Sequence, residues 1–200
     1  MSKHVDKAAV VVGAESWSHN GNLRIGALCI HGFTGNPSSM RGVAESFAGA
    51  GYDVELPRLP GHGTDISDMI PTRWSDWSAE VAAAYTRLAT RVDKVVVAGL
   101  SMGGALTLWT ALRQPTVSGI VCINPASQPQ AEEMLEMVKG LLAEGTEVFP
   151  GIGSDIADPN VKESSYAGTP LAPLVSMVED GIRPMLSQYG SCKIPMLLIT

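Results

Sequence analysis

The sequence has few cysteines, no cluster of basic residues, no long apolar run and no histidine beyond position 62. Its three cysteines, Cys29, Cys122 and Cys192, are an odd number without paired or metal-ligand spacing. That excludes a disulfide framework, and no metal site is expected. Each lies in or beside an apolar run, as a buried, inert thiol in a reducing compartment does. Lys and Arg number 14 against 20 Asp and Glu, a net charge of −6. With no basic patch, neither nucleic acid nor an anionic membrane is an expected partner. No apolar run approaches the roughly 20 residues that a membrane-spanning helix needs. The run at residues 8–12 is also too short for a signal peptide. The expected location is cytoplasmic, without stable membrane insertion; oligomeric state is left open.

The composition is 45% hydrophobic and 17% charged, which suits one compact α/β domain. Strand-like and helix-like segments alternate. Residues 8–12 read as a strand with a partner at 16–19. Residues 25–30 are nearly all apolar, as in a strand buried on both faces. Ser38 and Ser39 can cap a helix reaching residue 50, with Gly51 just past its end. Residues 52–56 form a short strand, and Pro57, Pro60, Gly61 and Gly63 then impose a loop. Residues 74–90 have helical spacing, with Trp77, Val81, Ala84, Tyr85 and Leu88 on one side. A strand at 92–98, a helix at 104–113 and a strand at 120–123 follow. This order implies a mainly parallel sheet with helices on both faces.

A long stretch then separates residue 123 from the next strand-like run, 196–200, far beyond the roughly 2–6 residues of an ordinary αβ loop. It is expected to hold helices at 131–143 and 174–189, the second interrupted by Gly181 and Pro184, around a Gly/Pro/Asp-rich loop at 149–173. The insertion leaves at the C-terminal end of a strand, where open parallel sheets carry their ligand sites. It is therefore expected to be a cap. The division is 1–127 as core, 128–192 as cap and 193–200 as the return to the core. Met134, Met137, Met177 and Met185 give the insertion flexible apolar side chains suited to acyl chains.

The chemistry concentrates in Gly99-Leu100-Ser101-Met102-Gly103. A Gly-x-Ser-x-Gly between a strand and a helix fits a nucleophile elbow, with small residues where the turn brings backbones close. Ser101 is the expected nucleophile. Attack by serine needs two N–H groups for the oxyanion, one of them on the residue after the serine. Met102 occupies that position, at a helix start whose dipole favours negative charge. The second donor is expected in the loop after an adjacent strand, and His31-Gly32-Phe33-Thr34-Gly35 offers the Phe33 amide. His31 and His62 are expected to shape loops rather than act as bases, and His4 and His19 are poor candidates. Trp74 and Trp77 read as core or groove-filling aromatics.

These segments, together with Leu59-Pro60-Gly61-His62-Gly63-Thr64, resemble the α/β-hydrolase superfamily, in particular the bacterial carboxylesterases and monoacylglycerol lipases. The resemblance implies an α/β-hydrolase fold with a small helical cap, an acyl-enzyme on Ser101, an oxyanion held by the Phe33 and Met102 amides, and no cofactor. The implied substrate is a small ester or a monoacylglycerol. Haloalkane and epoxide hydrolases use an aspartate where this chain has Ser101. The alternatives are another hydrolase chemistry or a non-catalytic ligand-binding protein on this scaffold. In the superfamily the triad runs Ser, then Asp or Glu, then His, whereas all four histidines here precede Ser101. The acid and the histidine are therefore expected beyond Thr200, with the last strand and helix of the fold. Asp155, Asp158 and Asp180 belong to the insertion and are not assigned to the triad.

Overall fold

A computed structural model describes residues 5–114, 116–151 and 164–200. In chain order the first elements are β1 (Trp17–His19), β2 (Ile25–Ile30), α1 (Ser38–Gly49), β3 (Asp53–Leu56), α2 (Ile66–Met69) and α3 (Trp74–Ala89). Then come β4 (Lys94–Leu100), α4 (Met102–Arg113), β5 (Val117–Ile123), α5 (Glu132–Ala143), β6 (Val148–Pro150), β7 (Gly168–Pro170) and α6 (Leu171–Ser176). A π-helical turn (Met177–Ile182), α7 (Arg183–Met185), a 3₁₀ turn (Leu186–Ser191) and β8 (Met196–Ile199) complete the described chain. The main sheet has the order β1-β3-β2-β4-β5-β8. Only β1 is antiparallel to its neighbour.

The sheet is covered on both faces, and the alternation of side chains along β2 explains how. Leu28 and Ile30 point into a cluster with Trp77, Val81, Leu88 and Leu106 from α3 and α4. Ala27 and Cys29 point the other way, onto Met40 and Ala44 of α1. Along α3 the buried residues Trp74, Trp77, Val81, Ala84, Tyr85 and Leu88 recur at helical spacing, and the Asp76 carboxylate accepts the Arg73 amide at 2.9 Å to close its first turn. Helix α1 ends as expected. Gly51 adopts φ +92°, its amide donates to Ala48 O at 2.9 Å and that of Tyr52 to Phe47 O at 3.1 Å, the two bonds of a Schellman ending.

Several expectations differ from the structure. Residues 8–12 are not a strand. Their neighbourhood spends its donors elsewhere: the Lys7 and Ala8 amides bond the Asp68 carboxylate and the Val11 amide bonds Gly63 O, so no ladder to the sheet forms. The start of α1 is capped by Asn36, whose Oδ1 accepts the Ser38 amide at 3.0 Å, because Pro37 sets the helical entry and leaves Ser38 already inside the helix. Helix α4 begins at Met102 rather than Gly104.

The long insertion starts with α5. The loop expected at 149–173 contains part of a small hairpin, in which β6 pairs with β7; Asp155 and Asp158 lie outside the described residues, as does His4. The helical stretch that follows begins at Leu171, earlier than expected, and widens into the π turn where Gly181 lies against the Trp74 ring. A Cβ at Gly181 would fall 2.5 Å from the ring carbon Cε3. Met177 and Met185 are buried in the main core cluster, but Met134 and Met137 are about half exposed on α5. Cys29 and Cys122 are buried, Cys192 only partly, and all three are free. Burial pushes the Cys29 thiol up to about 12 and the Cys122 thiol to about 11, which makes both poor nucleophiles. Among the described residues no helix is long and apolar enough to cross a membrane.

Trp77 is fully buried, and its indole N–H donates to Pro60 O at 3.2 Å. Replacing it by Ala opens a large cavity and removes one of the two donors to that carbonyl, leaving the His62 ring. Trp77→Ala is expected to cost about 3–5 kcal/mol of stability, read as a lower urea midpoint; an unchanged midpoint would contradict this packing.

Candidate active site

Strand β4 and helix α4 meet at Ser101 with no loop between them. Two glycines make this junction possible. A Cβ on Gly99 would overlap the Gly103 carbonyl oxygen, and one on Gly103 would overlap Ile30 O and fall 2.6 Å from His31 O. The helix start therefore presses on the ends of both β4 and β2. The chain turns this sharply by placing Ser101 at φ +55°, ψ −114°, a conformation that costs a residue with a side chain about 1–3 kcal/mol. The Ser101 amide donates to Ile123 O at 2.9 Å, and its carbonyl accepts from the amides of Gly104 at 2.9 Å, Ala105 at 3.2 Å and Ala126 at 3.0 Å. The backbone is thus gripped from β5 and α4, while the side chain stays partly exposed and bonds to nothing among the described residues.

Beside it lies the loop after β2. Strands β2 and β4 are neighbours with Ile30 opposite Gly99, so the two strands end at the same height. A Cβ at Gly32 would come 3.4 Å from the Ser101 Cβ. The next residue is Phe33. Neither the Phe33 nor the Met102 amide donates to an acceptor among the described residues. The structure thus brings together the three positions that the sequence singled out. A hydroxyl on a strained turn, next to one uncommitted amide at a helix start and another in the loop after β2, is an arrangement suited to attack on a carbonyl and to holding the resulting oxyanion.

The histidines are elsewhere. His31 and His62 are both fully buried. His31 Nδ1 donates to Gly32 O at 3.0 Å and its Nε2 accepts the Leu59 amide at 3.1 Å, so it ties the loop after β2 to the loop after β3. His62 Nδ1 donates to Pro60 O at 3.0 Å; its ring packs edge-on against His31, Phe33 and Trp77, and its Nε2 has no hydrogen-bond partner among the described residues. His19 lies in β1, stacked on Trp17. Among the described residues no group of His, Cys, Asp and Glu is arranged to hold a metal.

Sequence reasoning missed the contacts that the insertion makes with these loops. The Tyr166 amide donates to Thr34 O at 3.1 Å. The Tyr166 hydroxyl donates to Gly61 O at 2.8 Å and accepts the Thr64 amide at 3.1 Å. Asn36 Nδ2 donates to Ser164 O at 2.6 Å and to Ser164 Oγ at 2.9 Å. No periodicity or motif marks these residues, because each bond joins segments about a hundred or more positions apart. Asp180, the third aspartate of the insertion, accepts from the Ser176 hydroxyl at 2.5 Å and takes no part in the site.

This elbow and its flanking loop belong to a known architecture. The family model described as the alpha/beta hydrolase fold matches residues 28–151, and the chain belongs to that family. It is 44% identical over 171 residues to the thermostable monoacylglycerol lipase of Bacillus sp. (strain H-257), a match covering 84% of this chain and 66% of that protein. It is 28% identical over 153 residues to a carboxylesterase of Bacillus subtilis (strain 168), covering 75% of this chain and 60% of the relative. The chain thus spans slightly less than two thirds of the length of these curated relatives. A solved structure from work on the metagenome-derived lipolytic enzymes LipS and LipT superposes with a TM-score of 0.86 at 42% identity, over 95% of this chain and 76% of that one.

Burial lowers the basicity of both inner histidines. His62 is pushed from 6.5 down to about 4, with the nearby Arg58 charge adding to the effect. His31 is held well below its ordinary value by burial, then by His62 and Arg58. Both are neutral when folded, whereas the unfolded chain takes up protons near pH 6.5. The stability they contribute is complete above that pH and is lost as the pH falls toward 4. The urea midpoint is expected to drop between about pH 7 and about pH 4.5, and less steeply in His62→Gln. An identical slope in the variant would contradict the linkage.

Proposed function

We propose that the protein is a serine hydrolase that cleaves carboxylic esters through an acyl-enzyme on Ser101. One observation carries this reading: Ser101 stands at φ +55° between β4 and α4, beside two amides, of Phe33 and Met102, that have no acceptor among the described residues. The Ser101 Oγ attacks the ester carbonyl carbon while a histidine following it in chain order takes its proton. The carbonyl oxygen becomes an oxyanion held by the two amides, which act most strongly in a site where they need not reorient. The C–O bond to the alcohol then breaks, and the alcohol leaves with the histidine's proton. Water attacks the acyl-enzyme and releases the acid and the free serine. Neither cofactor nor metal enters this chemistry.

The substrate class is a short- to medium-chain ester, including monoacylglycerols. The relative named a monoacylglycerol lipase, at 44% identity, supports this reading. Residues 1–127 serve as the core, 128–192 as a cap over the acyl site, and 193–200 as the return to the core. Supporting the cap, the insertion departs from β5 directly beside Ser101, with Ala126 bonded to the Ser101 carbonyl, and returns to the loops at Thr34 and Gly61 through Tyr166. Three free cysteines fit a cytoplasmic location.

A fluorophosphonate probe applied to the full-length protein is expected to label Ser101, and p-nitrophenyl esters of short to medium acyl length to be hydrolysed. Ser101→Ala is expected to abolish labelling and to lower turnover by roughly 10⁴-fold or more. Labelling that persists in the variant would refute the assignment of the nucleophile.

A further inference from the structure

The loop that carries the Phe33 amide is not self-supporting. Thr34 stands at φ +60°, a conformation that a threonine keeps only when its surroundings hold it there. Within the loop the Thr34 hydroxyl donates to Phe33 O at 2.6 Å. On its inner side His31 Nδ1 holds Gly32 O, and on its outer side the restraint comes from residues 164–166. The Tyr166 amide takes Thr34 O. Asn36 closes the far side, its Nδ2 bonded to both oxygens of Ser164 while its Oδ1 accepts the Ser38 amide at the start of α1. Tyr166 then anchors the whole to a second loop, through Gly61 O and the Thr64 amide. The neighbouring His62 packs on the Phe33 ring at 6.5 Å between centroids.

We infer that Asn36, Ser164 and Tyr166 form a brace that fixes the Phe33 amide in the orientation an oxyanion on Ser101 requires. The inference rests on the proposed hydrolase reading and adds to it a task for the insertion beyond covering the substrate. A hydrogen bond weakens steeply as its angle departs from linear, and a donor stabilises a transition state to the extent that it is already aimed. The loop bearing Phe33 lies between a rigid strand, β2, and a rigid helix, α1, so its own freedom is concentrated at residues 32–36. The brace acts on those residues and touches neither Ser101 nor the amides. Its members are positioning residues.

Two variants separate this role from general support. Asn36→Asp keeps the acceptor that caps α1 and the shape of the side chain but removes both donations to Ser164. Tyr166→Phe keeps the ring and the backbone bond to Thr34 but removes the hydroxyl. In the full-length protein, on p-nitrophenyl butyrate, Asn36→Asp is expected to lower kcat about 10- to 100-fold with KM within about twofold. Tyr166→Phe is expected to lower it about 3- to 10-fold in the same way. Affinity for a boronic acid, whose tetrahedral serine adduct mimics the oxyanion, should fall by the same factors as kcat. Fluorophosphonate should still label Ser101 to completion, only more slowly. If Asn36→Asp does not fold, Tyr166→Phe alone decides the matter. Unchanged kcat and boronate affinity in a protein whose Ser101 is labelled would overturn the brace and leave the nucleophile standing. A lower melting temperature with no parallel loss of boronate affinity would likewise reduce the three residues to ordinary support. Absence of labelling on Ser101 in the unmodified protein would overturn the hydrolase reading, and the brace with it.

Discussion

The close approach of one helix start to two strand ends governs this molecule. Helix α4 begins where β4 stops, and its first turn lies against the end of β2 so tightly that Gly99 and Gly103 have no room for a Cβ. The residue between them, Ser101, absorbs the turn in a positive φ. The same contact that strains Ser101 lifts its side chain clear of the core, sets the Met102 amide at the head of the helix, and brings the loop after β2 within reach. Exposure of the hydroxyl and the uncommitted amides are thus consequences of packing, because an unstrained connection would need a longer loop and would separate them. The strain of roughly 1–3 kcal/mol is offset by the grip that β5 and α4 exert on the Ser101 backbone.

Around this junction the protein separates tasks by burial. The two histidines nearest the site are sealed beneath it, neutral, and engaged with carbonyl and amide groups of their own loops. Their contribution is shape: His31 links the loop after β2 to that after β3, and His62 packs against both Phe33 and Trp77, which also touch each other. The insertion completes the arrangement from outside. The stretch leading into it bonds the Ser101 carbonyl through Ala126, and the insertion itself reaches the Phe33 loop through Tyr166, so the part of the chain that looks most like an accessory is fastened beside the site. Its two buried methionines, Met177 and Met185, extend the core on which Trp74 and Trp77 lie.

Much of this was legible in the residues alone, for a physical reason. Buried strands and amphipathic helices write their periodicity locally, so β2, α3, β4 and β5 could be read within a few residues of their ends. Steric demand also writes itself locally: Gly-x-Ser-x-Gly between an apolar run and a helix records a turn too tight for side chains, and it led to Ser101 and Met102. The extended run at residues 8–12 was misread because a strand is made by a partner, and there the donors found a carboxylate and a loop carbonyl instead. The first turn of α1 differs because the side-chain oxygen of Asn36, not that of either serine, accepts the Ser38 amide.

What the sequence by itself determined is the alternation of elements, the sharp bend at Ser101 and the family to which such a bend belongs, since each depends on residues adjacent in the chain. Only the tertiary structure decided which amides remain uncommitted, why His31 and His62 are not available as bases, and that Asn36, Ser164 and Tyr166 join the insertion to the loop beside the serine. Those outcomes depend on bonds between segments about a hundred positions apart or more, on burial from several directions at once, and on φ values imposed by neighbours. Such quantities leave no pattern in the order of amino acids.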